Sequence, residues 1–146
     1  MTLQIRNENQ ILQELMDNCK NIIGKNLKAI VLFGSRASGT AKNDSDFDVL
    51  IIADDLPQNW RHRDTIILDL DRHGIFDILL YTGEELENAI NAANPVIMNI
   101  FDQPRKILYG KSFIDLKARL YNDEIAKCHI LRLGNNTWKI SGGINV

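Results

Sequence analysis

Three aspartates and one glycine-serine pair stand where chemistry would need them. Asp46 and Asp48 open the apolar run DFDVLII, and Asp77 is the third residue of another, IFDILLY. Side chains on a strand alternate faces, so Asp46 and Asp48 project together while Phe47 and Val49 point into the core. Two carboxylates about 7 Å apart along a strand repel unless a cation sits between them. A hard divalent ion meets that need. Mg2+, which takes one or two carboxylates and completes its shell with phosphate oxygens, is the natural choice. If the strand carrying Asp77 lies beside the one carrying Asp46 and Asp48, the three carboxylates can hold two ions. One would lower the pKa of an attacking hydroxyl and the other would neutralise a leaving pyrophosphate.

Gly34 and Ser35 supply the other half of such a site. They follow the branched apolar run LKAIVLF and precede Asp46 by a ten-residue polar gap. A glycine lets backbone approach a phosphate closely, and a helix starting behind it turns amide groups toward an anion. Ser35 adds a hydroxyl donor, and Arg36 is placed to pair with phosphate oxygens. Singly, each feature has a plainer reading: a turn, a solvated acidic pair, a half-exposed strand residue. Standing in register, they are far more specific.

The elements that must hold these residues are legible from periodicity. Ile11, Leu12, Leu15, Met16, Cys19, Ile22 and Ile23 recur every three to four residues, which predicts a helix over residues 9–23 that Gly24 ends. Residues 27–33 and 46–52 read as buried strands around a polar connection. Residues 60–71 read as a helix with Ile66, Ile67 and Leu70 inward, and residues 75–81 as a third strand. Thr82 with Glu85 three residues on is a capping box, and Asn94-Pro95 starts another helix through Phe101. A short strand at 107–109 and a helix over 112–127 follow. Beyond Cys128 the pattern fits either a hairpin or a frayed helix and tail. The order gives a mixed α/β (α+β) domain over residues 1–127, a small mixed sheet flanked by helices, with 128–146 as a C-terminal tail or hairpin.

The segment GSRASGTAKNDSDFD resembles the signature of the DNA polymerase β-type nucleotidyltransferase superfamily, Gly-Ser, ten residues, Asp-x-Asp, and is most similar to its minimal branch, the MNT proteins. The likeness is strong over residues 30–52 and extends through Asp77 to about residue 82. It implies the polymerase β-like nucleotidyltransferase fold and a magnesium-dependent transferase using ATP. Gly34, Ser35 and Arg36 would bind the nucleotide, while Asp46, Asp48 and Asp77 would hold metal and Asp77 would assist deprotonation of the acceptor hydroxyl. One departure is Ser38, where many relatives carry a second arginine. Minimal members of the family serve as antitoxins of HEPN-domain ribonuclease toxins and adenylylate a tyrosine of that partner. The resemblance therefore implies a HEPN toxin as partner and leaves a homo-oligomer open. Two other readings stand beside it: a steric, nucleotide-binding antitoxin without catalysis, and a small-molecule or RNA adenylyltransferase.

Composition bounds these readings. With 146 residues, 45% of them hydrophobic, the chain fills one core. No run approaches a membrane span and the first residues lack a secretory signal, so a cytoplasmic protein is expected. The net charge of −2 hides a division: residues 1–102 carry nine Lys/Arg against sixteen Asp/Glu, and residues 103–146 eight against three. No dense basic block marks a nucleic-acid arm, which points away from direct nucleic-acid binding. Cys19 and Cys128 read as idle thiols. His62, His73 and His129 have no partner at ligand spacing, and Trp60 and Trp138 read as packing residues. Asp69 and Asp71, two apart on a helix, read as solvent-facing.

Overall fold

The computed structural model describes residues 7–128, 130–132 and 138–140, and side chains for residues 7–126. Helix α1, Glu8–Ile22, starts at Asn7, whose side chain accepts from Gln10 N at 2.8 Å while Gln10 Oε1 accepts from Asn7 N at 3.0 Å. A reciprocal cap of this kind satisfies two amides that would otherwise lack partners. A 3₁₀ turn at Gly24–Asn26 leads into β1, Leu27–Phe33. The next element is the four-residue helix α2, Ser35–Ser38, inside the stretch read only as a polar connection with a helix start. Then come β2, Phe47–Ala53, α3, Trp60–Leu70, and β3, Phe76–Tyr81. Helix α4, Gly83–Asn91, carries the Thr82–Glu85 capping box, and α5, Pro95–Asp102, is capped by Asn94. Strand β4, Lys106–Tyr109, and α6, Lys111–Cys128, complete the domain. Beyond it β5, Ile130–Arg132, pairs antiparallel with β6, Trp138–Ile140. His129 and the Trp138 side chain lie outside the described residues.

The main sheet runs in the order β3-β2-β1-β4. β1 is antiparallel to both β2 and β4, while β2 and β3 are parallel and joined across α3. Parallel strands need such a crossover, and it sets the N-terminal ends of β2 and β3 side by side. Helices cover both faces, which is why the central strands are apolar almost throughout. Phe47, Val49 and Ile51 pack with Leu12, Leu15 and Cys19 of α1 and Leu70 of α3. Leu50, Ile52 and Val31 pack on the other face with Leu86 and Ile90 of α4, Ile97 and Ile100 of α5, and Ile114 of α6. Each such side chain, removed from water, contributes about 1.5 to 3 kcal/mol. No described helix is long and apolar enough to cross a membrane.

Arg63 is a charge inside this core, 2% exposed on α3. Its Nε donates to Pro57 O at 2.6 Å, and its Nη1 donates to Leu80 O at 3.1 Å and to Glu85 Oε1 at 2.7 Å. The guanidinium lies over the Trp60 ring, and that ring meets Tyr81 edge-on. One buried cation thereby joins α3, the C-terminal end of β3 and the start of α4. Trp60 packs as expected on its helix yet stays half exposed.

Candidate active site

Gly34 ends β1 in a conformation reserved for glycine. Its φ of 70° and ψ of −154° fall where an L side chain meets its own backbone. Its carbonyl accepts from Ala37 N and Ser38 N, both at 3.1 Å, which winds α2 immediately behind the turn. A Cβ at this position would overlap Asp48 Oδ2 and lie 3.2 Å from Asp48 Cγ. The absent side chain is thus the space that the Asp48 carboxylate occupies. The turn and the acid are fitted to each other before any ligand arrives, a reason for glycine additional to phosphate approach. Among the described residues no side chain caps α2, whose first two residues are Ser35 and Arg36.

The three aspartates come together as their spacing and the sheet order require. Asp48 pairs in register with Asp77 across the parallel β2–β3 ladder, and with Phe33 across β1. Neighbouring strands lie about 4.8 Å apart, and register partners in a parallel pair face the same side. By alternation that side is the α4–α6 face, shared by Asp48, Leu50 and Ile52 of β2 and by Asp77 and Leu79 of β3. Asp46 stands one residue ahead of β2, on the same side of the chain as Asp48. Asp46 and Asp77 are exposed and Asp48 is half-buried. Burial, then the charges of Asp77 and Asp46, raise the Asp48 carboxyl above its ordinary value. A carboxylate pressed toward protonation by two others is a group that a cation would relieve.

The donor set, carboxylate oxygens only, suits Mg2+. Among the described residues no three His, Cys, Asp or Glu side chains stand close enough to hold an ion by themselves. The fit is therefore to an ion held by one or two carboxylates that completes its shell from a substrate's oxygens, the ordinary habit of Mg2+.

Two side chains that the sequence did not single out for this purpose fix the segments leading into the acids. Arg36 donates from Nε and Nη2 to Ser45 O, at 3.2 and 2.7 Å, and from Nη2 to Asn43 O at 3.3 Å. Asp71, expected to face solvent, instead accepts from Ile75 N at 3.0 Å and Phe76 N at 3.3 Å, clamping the turn into β3 just before Asp77. Helix α3 ends at Leu70, so Asp71 is its C-cap and free to turn inward. An open cleft of about 580 Å³ adjoins Asp46, walled by Glu8, Arg36, Asp44, Ser45 and Phe47. The histidines add nothing to the site: His62 is exposed and His73 meets Glu14 at 3.4 Å on the surface.

Known proteins resemble this chain in sequence and in fold. The sequence profile described as "Polymerase beta, Nucleotidyltransferase" matches residues 9–114. A protein of Methanocaldococcus jannaschii named as a protein adenylyltransferase is 38% identical over 108 residues, covering 70% of this chain and 72% of that protein. Among solved structures, a chain from a toxin-antitoxin crystallised with AMP-PNP is 26% identical with a TM-score of 0.52, covering 85% of this chain and 94% of that one. A chain from a mutant of the MntA-HpeT toxin-antitoxin, 23% identical with a TM-score of 0.52 and the same coverage, shares the fold.

Proposed function

The chain belongs to the polymerase β nucleotidyltransferase family, and from that premise we propose that it transfers AMP from ATP to a hydroxyl of a partner protein. The observation that carries the proposal is the Asp48–Asp77 register pair set against Gly34, with Asp46 alongside. Gly34 and Ser35 receive the triphosphate, the glycine by giving access to backbone and the serine by one hydroxyl donor. Asp46 and Asp48 would hold Mg2+, which when bound would offset charge on the phosphates and make a neighbouring hydroxyl more acidic. Asp77, on the next strand and exposed, would also hold metal and takes the hydroxyl proton. The acceptor oxygen forms its bond to the α-phosphorus, the bond from that phosphorus to the β-phosphate bridge breaks, and pyrophosphate leaves with the electron pair.

The acceptor we propose is a tyrosine of a HEPN-domain ribonuclease, with this chain as its antitoxin in the cytoplasm. The relative named as a protein adenylyltransferase and the neighbour from a toxin-antitoxin support that reading. The cleft beside Asp46 is open, so selectivity comes from docking a macromolecule. A phenol suits the cleft because it is rigid and loses its proton more readily than serine. Phosphate charge added at an RNA-binding surface would oppose RNA binding there.

The test is co-expression with the protein encoded beside it, followed by intact-mass measurement of that protein. AMP-sized additions are expected, and they should vanish with Asp46→Asn, Asp48→Asn. A partner that is inhibited yet never modified would sink the enzymatic reading and leave steric neutralisation.

A further inference from the structure

We infer that Arg36 is a positioning residue: it fastens the residues flanking Asp46 to the helix behind the phosphate turn, and so sets where Asp46 stands relative to Gly34 and Ser35. The inference rests on the proposed transfer reaction for its functional meaning, but its geometry stands separately. The guanidinium lies 4.4 Å over the Phe47 ring. Phe47 belongs to the core between the sheet and α1, the face opposite to that of Asp48 and Asp77. Arg36 has therefore turned away from the carboxylates toward the α1 side, where Glu8 Oε2 approaches its Nη1 at 3.8 Å.

What it holds there is specific. Two of its nitrogens converge on the carbonyl of Ser45, the residue immediately before Asp46, and its flat face covers Phe47, the residue immediately after. Asp46 is bracketed from both sides by one side chain that begins two residues past Gly34. Of the other bonds of the connection, Thr40 N to Ser35 O at 3.1 Å and the Ser38–Thr40 hydroxyl pair at 2.8 Å hold Thr40 to α2, while Ser45 N to Lys42 O and Lys42 N to Ser45 Oγ, both at 3.0 Å, are local to residues 42–45. None of these four ties residues 42–46 to α2. Asp46 itself precedes the ladder, which begins with Phe47, and residues 42–44 and 46 are exposed. A metal-holding carboxylate must be placed to within about 0.5 Å, and here the guanidinium fork supplies that restraint across the cleft wall. The planar fork matters, since an ammonium offers a point charge and no parallel pair of donors.

The experiment compares wild type, Arg36→Lys and Arg36→Ala in two ways. Hydrogen exchange of residues 40–47, in protein free of metal and nucleotide, should quicken in Arg36→Ala while β1 and the rest of β2 keep their protection. The Mg2+ concentration for half-maximal AMP transfer at saturating ATP should rise about tenfold, the equivalent of one charge-assisted hydrogen bond. Raising Mg2+ should restore most of the rate with KM for ATP unchanged, and Arg36→Lys should fall between. A raised KM for ATP with unaltered loop exchange and Mg2+ requirement would overturn the inference in favour of direct phosphate contact. No change in any readout would overturn it as well. Lost protection in β1 and β2 would mark Arg36→Ala as globally unfolded, and Arg36→Lys then decides by the same measures. Absence of AMP transfer by the wild type would count against the proposed reaction, and loop exchange would still decide the fastening.

Discussion

The two ends of β3 treat charge in opposite ways. At its start Asp77 joins Asp48 and Asp46, no salt bridge among the described residues balances them, and burial and the two neighbouring charges drive Asp48 toward its protonated form. At its end the Leu80 carbonyl and Glu85 meet the Arg63 guanidinium, whose every contact is close and whose charge is matched. The difference distinguishes a charge that completes the fold from one that a ligand must complete. A balanced buried ion is expensive to sever. An unbalanced exposed one costs the fold something to keep and has value only when an ion arrives.

Variants break this comparison in order of size. Asp46→Asn with Asp48→Asn should lower AMP transfer by at least about a thousandfold while thermal unfolding shows equal or greater stability, because like charges are removed. Marked destabilisation would show these acids to be structural. Arg63→Ala should do the reverse. Urea unfolding should show a loss of about 2 to 4 kcal/mol, somewhat below that for a fully enclosed pair because the Glu85 side chain keeps 32% of its surface in water, while activity per folded molecule is retained.

Acidity sharpens the contrast because the two ends have opposite signs. Asp48 is held above its ordinary 3.8, so its contribution to stability is present below that value and is lost as pH rises through the raised folded value. Burial acts first on Glu85 too, but hydrogen bonds from Arg63 and Thr82 outweigh it and hold Glu85 below its ordinary 4.5. Its contribution is present above that value and is lost as pH falls through the lowered folded value. Between about pH 3 and about pH 6, stability relative to wild type should therefore climb for Asp48→Asn and drop for Glu85→Gln. Parallel trends in denaturant titrations would erase the distinction. The smallest effect is expected for Ser35→Ala, about three- to tenfold in transfer rate for one hydroxyl hydrogen bond. Any side chain at position 34, by contrast, must first displace Asp48.

The acidic end was legible in the sequence and the balanced end was not. Asp46, Asp48 and Asp77 interrupt or open apolar runs, where a carboxylate is conspicuous, and the ten-residue gap from Gly34-Ser35 is countable along the chain. The strand Leu27–Phe33 was readable because branched apolar residues end abruptly at glycine, and the Thr82 box because its partner is three residues away. Arg63 gave no such sign. Its partners are 6, 17 and 22 positions distant, and two of them are backbone carbonyls that any residue could supply. Arg36 was read for phosphate oxygens, and its bonds within the protein left no sign for the same reason, since Ser45 and Asn43 serve it through main-chain oxygens. Asp71 was assigned to a helix face, and a one-residue difference in where α3 stops makes it the clamp of β3. Side chain to backbone bonds formed in three dimensions leave no pattern of residue types behind.

Cys19, sealed between α1 and the sheet, can serve as a clock for the region that Arg36 leans on. Burial pushes its thiol up to about 12, so at neutral pH almost none of it is the reactive thiolate and no reagent reaches it while α1 is seated. In a protein whose Cys128 is replaced by serine, each alkylation event records an excursion in which α1 lifts and closes again. The labelling rate then measures how often the wall beside Asp46 opens, on a timescale of its own and without any turnover.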